Sequence, residues 1–372
     1  MEHQQHPLIA PVPGTQRQID SFHFGPPNAE RHVYIQGSLH ADELPGMMVA
    51  WTLKQRLAEL EREGQLACRV TVVPVANPIG LDQQLMDTPL GRYDFESLTN
   101  FNRRYVSVLE TVADGLEPLL GDDAADNRRC IRERFAAALA AITPTTSLES
   151  MQLTLMQLAC GADFVLDLHC DFNAVEHLYT TPAAWPVFEP LARYFGSKAS
   201  MLATDSGGQS FDECFTLVWE GLRQRFGERF AIDDGCQSIT LELRGQQDVS
   251  RTLGERDGQA ILDWMTYLGL IAGRAPELPA LPFPATELAA MDFLHAPIGG
   301  LLVFHLAPGV EVEAGTLIAE IIDPLSDRIE PVRANQKGMF YARSHRRMAT
   351  AGTIVADIAG FESHRSGYLL AP

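Results

Sequence analysis

His40 and Glu43, three residues apart in the stretch Val33–Glu43 (VYIQGSLHADE), are a pair of side chains that can share one cation. They follow an apolar, strand-like run ending at Gly37, and Pro45 and Gly46 lie just beyond. Where a strand turns into a helix, an imidazole and a carboxylate at this spacing face one point, and a single metal ion accepts both. A His-x-x-Glu pair is common by chance, and it also reads as a helix-start pair without metal. Support comes from further along. His169 leaves the end of a second apolar run, Asp163–Leu168 (DFVLDL), and Glu242 stands inside a third, Gln237–Leu243 (QSITLEL). A carboxylate in such a run is costly unless ionic or metal neighbours compensate it.

His40, Glu43 and His169 form a three-ligand set that leaves a fourth position for water, the pattern of a catalytic rather than a closed structural zinc site. Glu242 then reads as the general base, taking a proton from metal-bound water as it attacks a carbonyl carbon and passing it to the leaving amine. Arg92 is the candidate cation for the developing oxyanion. Asn102 and Arg103 are candidates to hold a substrate carboxylate, because guanidinium forks pair with carboxylates bidentately. Asp167, two residues before His169, reads either as a support for that imidazole or as a structural acid. Tyr179 is a candidate pocket wall, whereas Cys170 and His177 are given no catalytic role.

These residues need elements to place them. Val33–Gln36 reads as a buried strand and Leu44–Glu61 as the helix behind it, with Ala50, Leu53, Leu57 and Leu60 at helical spacing. Cys68–Val75 (CRVTVVPV) is apolar on both faces, as expected of a central parallel strand, so the unit is a right-handed crossover. The residues before Val33 read as a short N-terminal extension. Asn77–Arg104 is irregular and too long to be idle, and it contains Arg92, Asn100, Asn102 and Arg103. Helices are expected between Tyr105 and Gly161, most clearly over Arg128–Ala141 and Ser147–Cys160, and a further amphipathic helix over Arg251–Ala272. The expected fold is α/β, with a mixed, mostly parallel sheet and helices on both faces. In such sheets ligands gather beyond the carboxyl ends of strands, where His40 and His169 emerge.

Between Gly273 and Thr286 the sequence GRAPELPALPFPAT marks a stiff linker, which divides the chain into residues 1–285 and 286–372. In the second part Ala296–Ile321 and Ala334–Ile358 are similar to each other, Gly300 matching Gly338 and Gly315 matching Gly352. This resembles the pseudo-repeat of a biotinyl or lipoyl-type β-sandwich. Such carriers hold their cofactor on a lysine at the join of the halves; here the join reads DPLSDRIEP and the only lysine is Lys337, so a carrier function is not expected.

Composition narrows the functions further. The 372 residues are 46% hydrophobic, enough for a substantial core, and the six cysteines include no C-x-x-C pair, which suits reduced thiols in a cytoplasm. No basic, apolar leader begins the chain, and no stretch reaches the ~20 apolar residues of a membrane span. A formal net charge of -19 disfavours nucleic acid and anionic membranes as partners. A small-molecule partner is expected, and a homo-oligomer is compatible with the sequence.

The motifs together resemble the succinylglutamate desuccinylase and aspartoacylase family, a branch of the zinc carboxypeptidase superfamily. The resemblance covers Val33 to Gly245 and rests on HADE, FNRR, DLHCD and TLELRG. It implies one zinc ion per chain held by His40, Glu43 and His169, Glu242 as base, and Asn102 with Arg103 as the carboxylate clamp. Arg92 is a less fixed match, with Arg104 or Arg244 as substitutes. The implied activity is hydrolysis of the linear amide of a small N-acyl amino acid. The alternatives are a metallocarboxypeptidase acting on short peptides and, in another class, an inactive metal-binding interaction protein.

Overall fold

A computed structural model describes residues 1–370 of the chain. In chain order come β1 (Glu2–Pro7), β2 (Gln18–Phe24), β3 (His32–Gly37), α1 (Leu44–Arg62) and β4 (Arg69–Val73). The long irregular stretch holds a short α2 (Pro78–Leu81), a hairpin of β5 (Gln84–Leu85) and β6 (Thr88–Pro89), and then α3 (Leu109–Ala113). Next are α4 (Ala124–Ala140), α5 (Ser147–Ala159), β7 (Phe164–Asp171), β8 (His177–Thr180), α6 (Trp185–Phe195) and β9 (Ala199–Leu202). The elements α7 (Glu213–Phe226), β10 (Gln237–Gly245), α8 (Arg251–Tyr267) and β11 (Thr286–Glu287) follow.

The strands form one nine-stranded sheet in the order β1-β2-β4-β3-β7-β10-β8-β9-β11. The pairs β4/β3, β3/β7, β7/β10, β8/β9 and β9/β11 are parallel, so the sheet is mixed and mostly parallel, as expected. Residues before Val33 are not an extension. They supply β1 and β2, which pair antiparallel and extend the sheet from β4. The reading missed them because β1 is polar and largely exposed along its length, so it lacks the apolar alternation that marks a half-buried strand.

Two apolar cores lie on opposite faces, as the alternation of β3 requires. Val33 and Ile35 pack with Val49, Leu53 and Leu57 of α1 and with residues of α6 and α8, whereas Tyr34 packs with residues of α4, α5 and α7. Fully burying each such aliphatic side chain contributes about 1.5–3 kcal/mol. The start of α1 sits unusually close to the sheet. A Cβ on Gly46 would lie 2.5 Å from the Leu168 carbonyl oxygen, so only glycine lets the turn after Glu43 reach the end of β7.

The remaining strands are β12 (Met291–His295), β13 (Gly300–Phe304), β14 (Val310–Val312), β15 (Leu317–Asp323), β16 (Arg328–Arg333), β17 (Gly338–Arg343), β18 (Met348–Ala349) and β19 (Ile354–Gly360). They form two four-stranded antiparallel sheets, β12-β19-β17-β14 and β16-β15-β13-β18, around their own apolar core. The internal repeat is visible in the backbone. Gly300 and Gly338 each open a strand, and Gly315 (φ 84) and Gly352 (φ 82) each turn the chain two residues before one. This module is fastened to the large sheet by backbone hydrogen bonds, Val175 N–H to Tyr341 O (2.9 Å) and Arg343 N–H to Asn173 O (2.9 Å). Among the described residues no helix is long and apolar enough to cross a membrane.

At the opposite end of the strands from His40, the His32 imidazole is buried with Nε2 2.9 Å from Thr71 Oγ1. Burial, reinforced by the charges of Arg69 and Arg132, lowers its pKa to about 3. The native state thus binds this proton more weakly than the unfolded chain does. The stability tied to a neutral His32 is complete above about pH 6.5, and it falls with acidification until about pH 3, with a slope of up to ~1.4 kcal/mol per pH unit. Urea midpoints measured from pH 7.5 to 4.5 should drop more steeply for the wild type than for His32→Gln; parallel profiles would refute this.

Candidate metal centre

His40 and Glu43 are placed by the turn between β3 and α1, and His169 by the C-terminal end of β7, two neighbouring parallel strands. The two imidazole rings lie 4.9 Å apart between centroids, nearly edge to face. One ligand atom from each of His40, Glu43 and His169 falls within 4.8 Å of the others, and all three residues are buried. Glu43 is shared between the rings: Oε1 is 2.9 Å from His40 Nδ1, and Oε2 is 2.8 Å from His169 Nδ1. Arg92 Nη1 donates to Oε1 (3.1 Å) and the Cys170 backbone N–H to Oε2 (3.1 Å). Glu43 occupies the N-cap position of α1 without capping it, because its carboxylate faces the histidines instead.

The far nitrogen of each ring is fixed by a separate acceptor. His40 Nε2 lies 2.8 Å from Asn100 Oδ1, whose orientation is set by the Asn102 backbone N–H at 2.9 Å. His169 Nε2 lies 2.9 Å from Asp167 Oδ2, and Asp167 Oδ1 accepts from Gln36 Nε2 (3.0 Å), which is bonded in turn to Tyr34. With both Nε2 atoms committed as donors, both Nδ1 lone pairs point at a carboxylate. That arrangement repels itself unless a proton or a cation lies between the atoms, so the donor set fits a metal ion. Two imidazoles and a carboxylate suit zinc and similar divalent ions.

The electrostatics without an ion are asymmetric. Burial and the Arg92 charge lower the His40 pKa to about 4. Burial also disfavours charge on His169, but Asp167 and Glu43 outweigh it and raise that pKa well above the usual value. The difference lies in the nearest charges, the Asp167 anion behind His169 and the Arg92 guanidinium beside His40. Burial pushes the Glu43 pKa up, and the two histidines pull it further down, so it stays ionised.

Glu242 sits opposite His169 in the β10/β7 register, on the same sheet face, and lines the same cavity. Its Oε2 is buried without a hydrogen-bond partner, and burial with the nearby Glu43 charge raises its pKa well above the ordinary carboxylate range. The cavity, about 440 Å³, is also lined by Arg92, Asn102, Arg103 and Tyr179 and by Tyr341, Arg343, His345 and Asp357 of the module. Arg92 is held there by its loop, whose backbone accepts from Ala41 (Gly91 O, 2.9 Å) and from Phe101 (Arg92 O, 3.1 Å). Asn102 Oδ1 accepts the Phe211 N–H (2.8 Å), and Arg103 Nη1 donates to Asn102 O (2.8 Å). The substitutes for Arg92 lie elsewhere: Arg104 is exposed, and Arg244 is bonded to Asp257 and Glu176. His177 donates Nδ1–H to Val175 O (2.8 Å).

Asn100 is the participant that sequence reasoning left without a role. It lies in the irregular loop sixty residues from the histidine it contacts, and only its position two residues before Asn102 hinted at it.

Residues 29–268 match the profile of the succinylglutamate desuccinylase/aspartoacylase catalytic domain. A crystal structure of a succinylglutamate desuccinylase/aspartoacylase family protein from Shewanella amazonensis is similar over 96% of this chain and 98% of its own, with TM-score 0.84 and 23% identity. One from Shewanella frigidimarina is similar over 96% and 97%, with TM-score 0.84 and 21% identity. A third, from Rhodobacter sphaeroides, is similar over 97% and 96%, with TM-score 0.64 and 16% identity. At these identities the likeness is one of fold. A search of curated proteins finds no match.

Asp167 and Glu43 raise the proton affinity of His169 when no ion is present, so an ion binding at its Nδ1 competes with a proton. Zinc titrations at pH 7 by calorimetry, in buffers of different ionisation heat, should report release of about one proton per ion. Asn100→Ala should weaken zinc binding about 10–100-fold, as loss of an imidazole's supporting acceptor commonly does. Zinc binding without proton release, or unaltered by the substitution, would contradict the arrangement.

Proposed function

The chain belongs to the succinylglutamate desuccinylase/aspartoacylase family, and from that premise we propose that it is a zinc-dependent amidohydrolase that removes the acyl group from a small N-acyl amino acid. The observation that supports this most strongly is the convergence of His40, Glu43 and His169 on one point of a cavity that Glu242 also lines. Those three residues hold the ion, one per chain. When bound, it supplies Lewis acidity, which makes water a better nucleophile at neutral pH and polarises the scissile carbonyl.

The chain's own residues do the rest. Asn102 and Arg103 receive the substrate carboxylate. Arg92, whose guanidinium already lies against Glu43, stabilises negative charge as it develops on the carbonyl oxygen. Glu242 takes a proton from the attacking water and returns it to the leaving nitrogen as the C–N bond breaks. Its raised proton affinity suits both halves of that transfer. Water attacks the carbonyl carbon directly, and no acyl-enzyme forms.

The module at residues 286–372 is read as a separate β domain of the biotinyl/lipoyl-like type, without a carrier role. Its residues wall the cavity, and a space of about 440 Å³ bounded on that side favours a small amide over a peptide chain. That feature weighs against the carboxypeptidase reading, and the presence of all four key side chains weighs against an inactive interaction protein. A cytoplasmic location is proposed with the function.

Zinc-loaded protein should release free amine from some N-acyl amino acids faster than from an unblocked dipeptide. Glu242→Gln should lower kcat by roughly 100-fold or more, the usual worth of a positioned base, with zinc content unchanged. Full turnover in that variant would remove Glu242 from its role, and preference for the dipeptide would favour the carboxypeptidase.

A further inference from the structure

The cavity that holds His40, Glu43 and His169 is lined by two kinds of surface. One is charged and polar, with Glu242, Arg92, Asn102 and Arg103. The other is apolar: Phe172, just past the end of β7, faces the cavity together with Leu302, Met348, Ala349, Ile354 and Val355 of the module. These two parts of the chain meet directly. The Phe172 ring lies 4.7 Å from that of His345, and the Ser344 N–H donates to Val355 O (2.9 Å).

Three of the apolar side chains are open to solvent, Phe172 at 40%, Met348 at 61% and Ile354 at 39%. Single exposed hydrophobic residues need no explanation, but several that face one cavity beside a reactive centre mark a surface that an apolar group covers. The polar end of the substrate has its partners elsewhere, in Asn102 and Arg103. With the carboxylate there and the amide carbonyl beside His40, Glu43 and His169, the acyl group is the part left to reach the module. The charged groups on that side offer little to a second anion. Arg343 donates Nε–H to Asn173 Oδ1 (2.8 Å) and Nη1–H to Leu306 O (3.0 Å), with its guanidinium over the Phe304 ring. Asp357, whose Oδ1 is buried without a hydrogen-bond partner, is near enough to Asp171 for the two to repel. Arg346, exposed at the cavity wall, is the feature that would suit a carboxylate instead.

We infer that the acyl group of the substrate is a straight apolar chain longer than acetyl, seated on Phe172, Met348 and Ile354. Hydrolysis then yields an alkanoic acid and a free amino acid. The inference rests on the hydrolase reading above and deepens it by naming the acyl class.

The test is a series of N-acyl derivatives of one amino acid, acetyl, butyryl, hexanoyl, octanoyl and adipoyl, offered to the zinc-loaded protein. From acetyl upward kcat/KM should rise about fourfold per added methylene until the apolar surface is covered, the worth of burying one CH2. Met348→Asp and Ile354→Asp change exposed positions, and each should lower the octanoyl-to-acetyl ratio of kcat/KM about tenfold or more, because a charge then meets the buried methylenes. Leu325→Asp, at a module residue that is 95% exposed and does not line the cavity, should keep the wild-type ratio. A flat series, adipoyl preferred over hexanoyl, or wild-type ratios in both aspartate variants would overturn the inference. So would a preference that follows the amino acid's side chain, compared as N-acetylglycine against N-acetylleucine, and not the acyl length. Calorimetric affinities of zinc-loaded Glu242→Gln for the same series give a readout without turnover and should tighten with chain length. A wild type that cleaves none of the series, with affinities that still tighten, would refute the hydrolase reading alone; cleavage with no dependence on acyl length would refute the inference alone.

Discussion

One buried carboxylate organises this molecule. Glu43 faces one nitrogen of each of two imidazoles and accepts from one guanidinium and one backbone N–H, all within 3.1 Å, in a place with almost no access to water. An ionised carboxylate there would cost several kcal/mol if its partners were removed. Their positions are therefore strongly constrained. The partners come from the β3–α1 turn, the end of β7 and the loop carrying Arg92, so parts of the chain far apart in sequence must meet at one point. The absence of a side chain at Gly46 lets α1 press against Leu168, and this close approach brings Glu43 to His169.

The charges around that point are graded rather than uniform. Asp167 behind His169 and the Arg92 guanidinium beside His40 make otherwise similar rings differ strongly in proton affinity. Supporting acceptors of this kind fix the rings' tautomers and direct their remaining lone pairs to a common centre. Glu242 stands apart from this network, with one buried oxygen lacking a partner. Such a group weakens a fold, and its persistence beside His40, Glu43 and His169 is what a proton-transfer role would require.

The module at the C-terminal end is part of the cavity rather than an appendage. Backbone hydrogen bonds join β17 to the segment after β7, and an apolar cluster runs from Ala199 and Met201 into Met291, Met339 and Tyr341. Residues more than a hundred positions beyond His40, Glu43 and His169 thus form one wall of the pocket. The same arrangement of both parts occurs in solved structures at 21–23% identity, so the fold tolerates wide change in its surface and core.

Sequence alone determined much of this, because the informative features are local. The apolar runs that precede His40 and deliver His169 are strands because they are buried on both faces, and a carboxylate at Glu242 within such a run stands out for its desolvation cost. The repeat of Gly300 with Gly338 and Gly315 with Gly352 was legible because turns and close strand crossings restrict side chains locally. Tertiary structure decided what depends on distant partners. The polar edge strand β1 is ordered by pairing with β2, which leaves no periodic apolar signal in its sequence. Asn100 is tied to His40 only by the folding of an irregular loop. Arg244, which alternation would have placed beside Glu242, is carried to Asp257 by a bulge that exists only in the register between two strands.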